Sequence, residues 1–254
     1  MEELKLDVSS RIGSDFEILM VHSALDGMAP MFRGSVSGLK KMLIGMCEPD
    51  RTLVMPAFFF GGSRFDPVGY YRQEPMFDVR RTPSEMGLLT ELFRRHPGVL
   101  RSLHPTHSVC AVGRLAREVT RRHREDAYGC GPDSPFDVMD RHRTIILGLG
   151  VQYFRALTHV HYAEQLLGGE FPVRFREERV PMVLKDGDGK QLDYVLRVKT
   201  FEGQRKIERL DDFMARGDMI KWKFHGVPMY AVSARKVTLA LLDQAKKGVS
   251  IYTV

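Results

Sequence analysis

The sequence predicts an α/β protein: a three-layer α/β/α sandwich around a mixed, largely parallel sheet, in one domain over residues 1–254. Three observations carry this expectation. Short, wholly apolar runs alternate with helical segments through the first 170 residues, the pattern of buried strands joined by crossover helices. A hairpin turn signal, Asp186-Gly187-Asp188-Gly189, appears in the last third and predicts antiparallel additions to that sheet. No internal repeat and no low-complexity linker divides the chain.

In order, Glu17 to Val21 (EILMV) reads as a buried strand ending at His22-Ser23, followed by a loop rich in Gly, Pro and Met. Ser35 or Ser37 then caps a helix running to about Met46. Thr52 to Met55 is a second buried strand, stopped by Pro56. Phe58 to Asp78, rich in glycine and aromatic residues, has little periodicity and reads as a long irregular segment of the kind that carries function. Thr82-Pro83-Ser84-Glu85 opens a helix to about His96, which Pro97-Gly98 ends. Ser108 to Val112 and Thr144 to Leu149 read as strands, with a helix from Leu115 to Arg124 between them. A helix from Thr158 to Leu167 stops at Gly168-Gly169; strand-like alternation begins after Val180; Asp211 to Arg216 and Ala234 to Lys247 are helical.

Composition narrows the function classes. With 43% hydrophobic and 28% charged residues the chain has the balance of a soluble globular protein. No apolar run approaches the roughly 18 residues of a membrane helix. The opening MEELKLDVSS places acids where a secretory leader carries bases, so a cytoplasmic protein without a membrane partner is expected. Cys47, Cys110 and Cys130 lie far apart with no C-x-x-C spacing, which speaks against disulfides and thiolate metal sites. The net charge of +6 favours an anionic partner such as coenzyme A, a nucleotide-sugar diphosphate or nucleic acid. Yet the bases are mixed with acids, as in Arg121-Arg122-His123-Arg124-Glu125-Asp126, and are not interleaved with aromatic residues, so no nucleic-acid partner is expected. Assembly into a homo-oligomer is left open.

Several segments carry a family resemblance: Val21-His22-Ser23, Leu53-Val54-Met55-Pro56, Thr82-Pro83-Ser84-Glu85-Met86-Gly87, Arg101-Ser102-Leu103-His104-Pro105-Thr106-His107-Ser108, Gly131-Pro132-Asp133-Ser134-Pro135-Phe136, Leu147-Gly148-Leu149-Gly150 and His161-Tyr162-Ala163-Glu164. In this order and spacing the chain resembles the aminoglycoside 3-N-acetyltransferases over roughly residues 17 to 170. The resemblance implies direct transfer of an acetyl group from acetyl-CoA to a primary amine of an amino sugar, with no metal.

That reaction has its own requirements. An amine with a pKa near about 10 is mostly protonated at neutral pH and cannot attack a thioester. A base must take a proton, a task that suits imidazole, and the tetrahedral oxyanion needs a hydrogen-bond donor. The resemblance assigns the base to His161, at the start of a helix, with Glu164 on the same face three residues on, where it can orient the ring or contact substrate. A second carboxylate downstream is implied too, but only Asp193 and Glu202 are available as stand-ins. His107, in a segment resembling one that lines the thioester region, is a third candidate catalytic residue. For the cofactor, the opening segment contributes His22 and Ser23, while Thr106 and Ser108 add hydroxyls at a sheet end. Ser35, Val36 and Ser37 could present helix-start amides to coenzyme A phosphates or pantetheine. Ser134 and Phe136 resemble a family Ser-Pro-aromatic segment near the cofactor, with Asp137 in place of its glycine.

The acceptor is a separate matter. Arg64, Arg72, Arg80 and Arg81 beside Tyr70, Tyr71, Phe58, Phe59 and Phe60 suit a nucleotide-linked amino sugar better than a polycationic antibiotic. The alternative is an aminoglycoside. An alternative of another class is a metal-dependent hydrolase using the pairs His104/His107 and His159/His161, although no acidic ligand falls at an obvious spacing.

Overall fold

A strand covered on both faces needs an unbroken apolar run, because successive side chains point to opposite sides. Ile18–Ser23 (β1) and Thr52–Pro56 (β2) have such runs, and both lie at the centre of the sheet in the computed structural model, which describes residues 1–28, 35–62 and 66–253. The further strands are β3 (Met76–Asp78), β4 (Leu100–Arg101), β5 (Val109–Gly113), β6 (Thr144–Leu149), β7 (Arg176–Lys185), β8 (Gln191–Thr200), β9 (Gln204–Arg205), β10 (Met219–Phe224), β11 (Val227–Ser233) and β12 (Tyr252–Thr253). The helices are α1 (Glu2–Ile12), α2 (Leu25–Met28), α3 (Val36–Cys47), α4 (Pro67–Gln73), α5 (Leu88–Arg94), α6 (Ala116–Arg121), α7 (Pro135–Arg141), α8 (Tyr153–Ala156), α9 (Val160–Leu167), α10 (Leu210–Phe213) and α11 (Ala234–Lys246).

The main sheet has the order β10-β11-β6-β1-β2-β5-β4. Its two faces follow directly from alternation along the strands. Ile18, Met20, Val54, Val109 and Ile146 pack with Val119, Phe136, Val160 and Val237 from α6, α7, α9 and α11. Leu19, Val21, Leu53, Met55 and Leu147 pack with Val8, Leu39, Leu43, Leu89 and Phe93 from α1, α3 and α5. The three-layer α/β/α sandwich around a mixed sheet is therefore present.

Within the main sheet, parallel pairing, expected to dominate, is confined to β1 with β2 and β1 with β6. The other four contacts, β2–β5, β5–β4, β6–β11 and β11–β10, are antiparallel. Ser108 to Val112, read as a step of the alternating series, instead runs antiparallel to β2 and forms a hairpin with β4, and β10 and β11 form a hairpin at the other edge. The β7–β8 hairpin, with Asp186 accepting from the backbone of Asp188 and Lys190 in its turn, does not extend the main sheet. It forms a separate three-stranded sheet with β3 over Phe59, Val68, Tyr71 and Phe77. The antiparallel additions to the main sheet are β10 and β11.

Two segments differ from the sequence reading for local reasons. The irregular stretch after Phe58 contains α4, whose N-cap Asp66 accepts from the Gly69 amide, and β3, which pairs with β7. The helix expected from Thr82 begins only at Leu88, after Gly87 at φ 92°. Glu85, which would close a capping box there, turns away to accept from the backbone amides of Phe60 at 2.7 Å and Gly62 at 2.5 Å. No helix among the described residues is long and apolar enough to cross a membrane.

Candidate functional site

Open α/β sheets tend to bind ligands beyond the carboxyl ends of their parallel strands. Here β1 ends at Ser23 and β2 at Pro56, and both residues line a cleft of about 1470 Å³. His22, Phe58, Phe60, Glu85, Thr106, His107, Thr158, His161, Glu164, Arg205 and Tyr252 line it as well. That volume exceeds a single drug-sized pocket and leaves room for two substrates at once.

His161 sits in the first turn of α9. Its Nδ1 lies 2.8 Å from Glu164 Oε2, and its Nε2 lies 2.7 Å from Arg205 Nη1. Glu164 is buried, and its second oxygen accepts from the Tyr252 hydroxyl at 2.8 Å. The network fixes the tautomer: a guanidinium can only donate, so Nε2 carries the lone pair and Nδ1 carries the proton given to Glu164. Tyr252 stands within a box of aromatic rings from Phe171, Phe175 and Phe201. Neither stand-in carboxylate approaches this imidazole: Glu202 pairs with Arg176 at 2.6 Å, and Asp193 pairs across the hairpin with Val183.

His107, also lining the cleft, lies between the rings of Phe58 and Phe60, each 5.3 Å away. Thr106 Oγ1 lies 2.9 Å from His107 Nδ1, and among the described residues nothing bonds Nε2. Burial pushes this imidazole down to about 3, helped by the neighbouring charges of His161, His123 and Arg205, so it stays neutral. The loop behind it is set by buried histidines. His104 Nδ1 accepts from the His107 amide at 3.0 Å and its ring stacks on His123 at 4.7 Å. His123 in turn donates to the Gly129 carbonyl at 2.9 Å and accepts from the Ser102 hydroxyl at 2.7 Å.

Of the residues expected to meet the cofactor, His22, Ser23 and Thr106 line the cleft. Burial, with the charge of His159 nearby, lowers His22 to about 4. The others are engaged within the fold. Ser35 caps α3, accepting from the Gly38 amide at 3.0 Å, and with Val36 and Ser37 stands off the cleft as far as the described residues define it. Ser108 donates to the Ala57 carbonyl and accepts from Arg101, both deep beneath the sheet end. Ser134 caps α7 and donates to Gly131, and Phe136 is a core side chain at 1% exposure. Capping bonds within the fold account for the sequence signal of Ser35 and Ser134.

Arg80 and Arg81 are exposed and away from the cleft, and Arg64 lies outside the described residues, as does the loop before Ser35. Arg72 reaches the cleft but pairs with Glu178 at 2.8 Å. Asp26, Asp66, Glu85, Glu164 and Glu178 line the cleft against Arg72, Arg155, Arg197, Lys199 and Arg205, so the charges balance. The histidine pairs do not converge: His159 bonds Thr238 at 3.0 Å while His161 bonds Glu164, and no group of three ligating side chains forms among the described residues. Burial raises Cys47 and Cys110 to about 12 and Cys130, on the cleft wall, well above the usual thiol value. Arg205 and Tyr252 were missed because they come from two-residue strands with no motif around them.

Comparison with known proteins gives a consistent answer. A model of the family described as aminoglycoside 3-N-acetyltransferase matches residues 20–244. Aminoglycoside N(3)-acetyltransferase III of Pseudomonas aeruginosa is 32% identical over 159 residues, covering 59% of this chain and 58% of that protein. The enzyme of the same name from a Salmonella species is 30% identical over 184 residues, covering 68% and 62%. The matches thus span about three fifths of these relatives' length. Among solved structures, one described as AAC-IIIb binary with CoASH superposes with a TM-score of 0.77 at 23% identity, covering 98% of this chain and 97% of the other.

Proposed function

Because the chain belongs to the aminoglycoside 3-N-acetyltransferase family, we propose that it transfers an acetyl group from acetyl-CoA directly to a primary amine of an aminoglycoside-type amino sugar. The observation that carries the reading is the Tyr252–Glu164–His161 chain at the cleft, which holds the imidazole with Nδ1–H committed and Nε2 basic. Nε2 takes the proton that the amine must lose, and the freed nitrogen attacks the thioester carbonyl. His107, kept neutral by burial and bonded through Nδ1, offers Nε2–H to the developing oxyanion within the same cleft. Departure of the CoA thiolate, with a proton returned to it, completes the transfer. No acyl-enzyme is required: each cysteine has its thiol held protonated by burial, Cys130 included.

The relatives, named as aminoglycoside N(3)-acetyltransferases, support an aminoglycoside-type acceptor. The arginines that favoured a nucleotide-linked amino sugar are paired, exposed elsewhere or outside the described residues, and the balanced charges of the cleft give an anionic acceptor no advantage. Thiol release from acetyl-CoA should therefore appear with aminoglycosides and not with nucleotide-linked amino sugars. Release with the second panel alone would restore the anionic acceptor, and release with neither would remove the amine-transfer reading.

A further inference from the structure

The guanidinium of Arg205 occupies the nitrogen that has to accept the acceptor's proton. Its Nη1 is 2.7 Å from His161 Nε2, along the lone pair left by the Nδ1–H···Glu164 bond. An incoming ammonium would donate to that same lone pair, so side chain and acceptor compete for one position. Arg205 is exposed and belongs to β9, which is held to β12 by a two-residue antiparallel contact opposite Tyr252. Arg205 also contacts the Tyr252 hydroxyl; an exposed side chain can leave both contacts without disturbing the core, whereas His161 and Glu164 are fixed from α9.

Resting on the acetyltransferase reading, we propose that Arg205 is an acceptor-displaced cap on the His161 base that protects the bound thioester from water. A bare Nε2 beside an acetyl thioester would be able to activate water: the water oxygen bonds to the carbonyl carbon, its proton passes to Nε2, the C–S bond breaks and the CoA thiolate leaves to collect that proton. The products would be acetate and free CoA. A guanidinium donating into the lone pair removes this route until a cationic amine replaces it. Arg205 is in this sense a positioning residue that decides which nucleophile meets the base.

The test is Arg205→Ala beside Arg205→Gln and wild type, each checked for a native melting transition, with two readouts. The first is acetyl-CoA hydrolysis without any amine, followed as free CoA; freeing a general base should raise it at least about tenfold in Arg205→Ala. The second needs no turnover: modification of His161 by diethyl pyrocarbonate, read by peptide mass spectrometry, should speed up several-fold in the same variant. Hydrolysis and modification both within about twofold of wild type would overturn the cap. Faster modification in a protein that acetylates no amine would uphold the cap as a shield of His161 and overturn the acetyltransferase reading instead.

Discussion

Glu164 shares its two oxygens between His161 and Tyr252, so the imidazole proposed as the base is oriented by a carboxylate that is itself held in place. His161→Ala should lower kcat by about 10²–10⁴ in acetyl transfer, and a rate within threefold of wild type would remove it from the role. Tyr252→Phe is the finer probe. It leaves a buried carboxylate oxygen without its donor, a loss of about 1–3 kcal/mol, and lets Glu164 rotate off Nδ1. Steady-state kinetics should show kcat falling several-fold with the KM for acetyl-CoA little changed. His161 was marked by the family resemblance of its segment, and Glu164 followed because residues three apart on a helix share a face. Tyr252 was not legible, since nothing in a lone tyrosine near the end of a sequence says which carboxylate it will meet. Ser108, Ser134 and Phe136 take bonds or packing within the fold, and a capping serine has the same local pattern whether or not a ligand lies beyond it.

The elements divide along the same line. β1, β2 and β6 were plain in the sequence because burial on both faces demands continuous apolar residues. The β10–β11 hairpin was hidden by its turn. His225 and Gly226, at φ 47° and 84°, make a tight left-handed connection usually written Asn-Gly or Asp-Gly. The shortened α5 shows a long-range contact overriding a local one: Thr82 to Glu85 has the spelling of a helix start, yet the Glu85 carboxylate is drawn to amides 25 and 23 residues away. Those two charge-assisted bonds tie down the cleft wall at Phe60 and Gly62. Glu85→Ala should lower unfolding free energy by about 1–3 kcal/mol in urea titrations and weaken acceptor binding more than acetyl-CoA binding. Equal loss for both substrates would place the effect on the fold alone.

At the scale of the whole molecule, five imidazoles, His22, His104, His107, His123 and His159, are held below the usual histidine value, in each case chiefly by burial. In the unfolded chain each returns to about 6.5. Below that pH the unfolded state binds protons that the folded state refuses until about 4 at His22 and about 3 at His107 and His123. Stability therefore falls as pH falls, by up to about 1.4 kcal/mol per pH unit for each such group. Asp126, raised by burial, works in the opposite sense, but it is one group against five. With total stability of order 5–15 kcal/mol, acid unfolding should have its midpoint above about pH 4.5. Circular dichroism from pH 7.5 to 4 would check this, and a fold intact at pH 4 would contradict it.

The sealed sulfurs have a practical corollary. With Cys47, Cys110 and Cys130 buried and their thiols kept protonated, the native protein should be nearly silent towards aromatic disulfide reagents on the timescale of minutes. A yellow colour developing in such a mixture then reports liberated coenzyme A alone, and only denaturant should bring up the enzyme's own three equivalents.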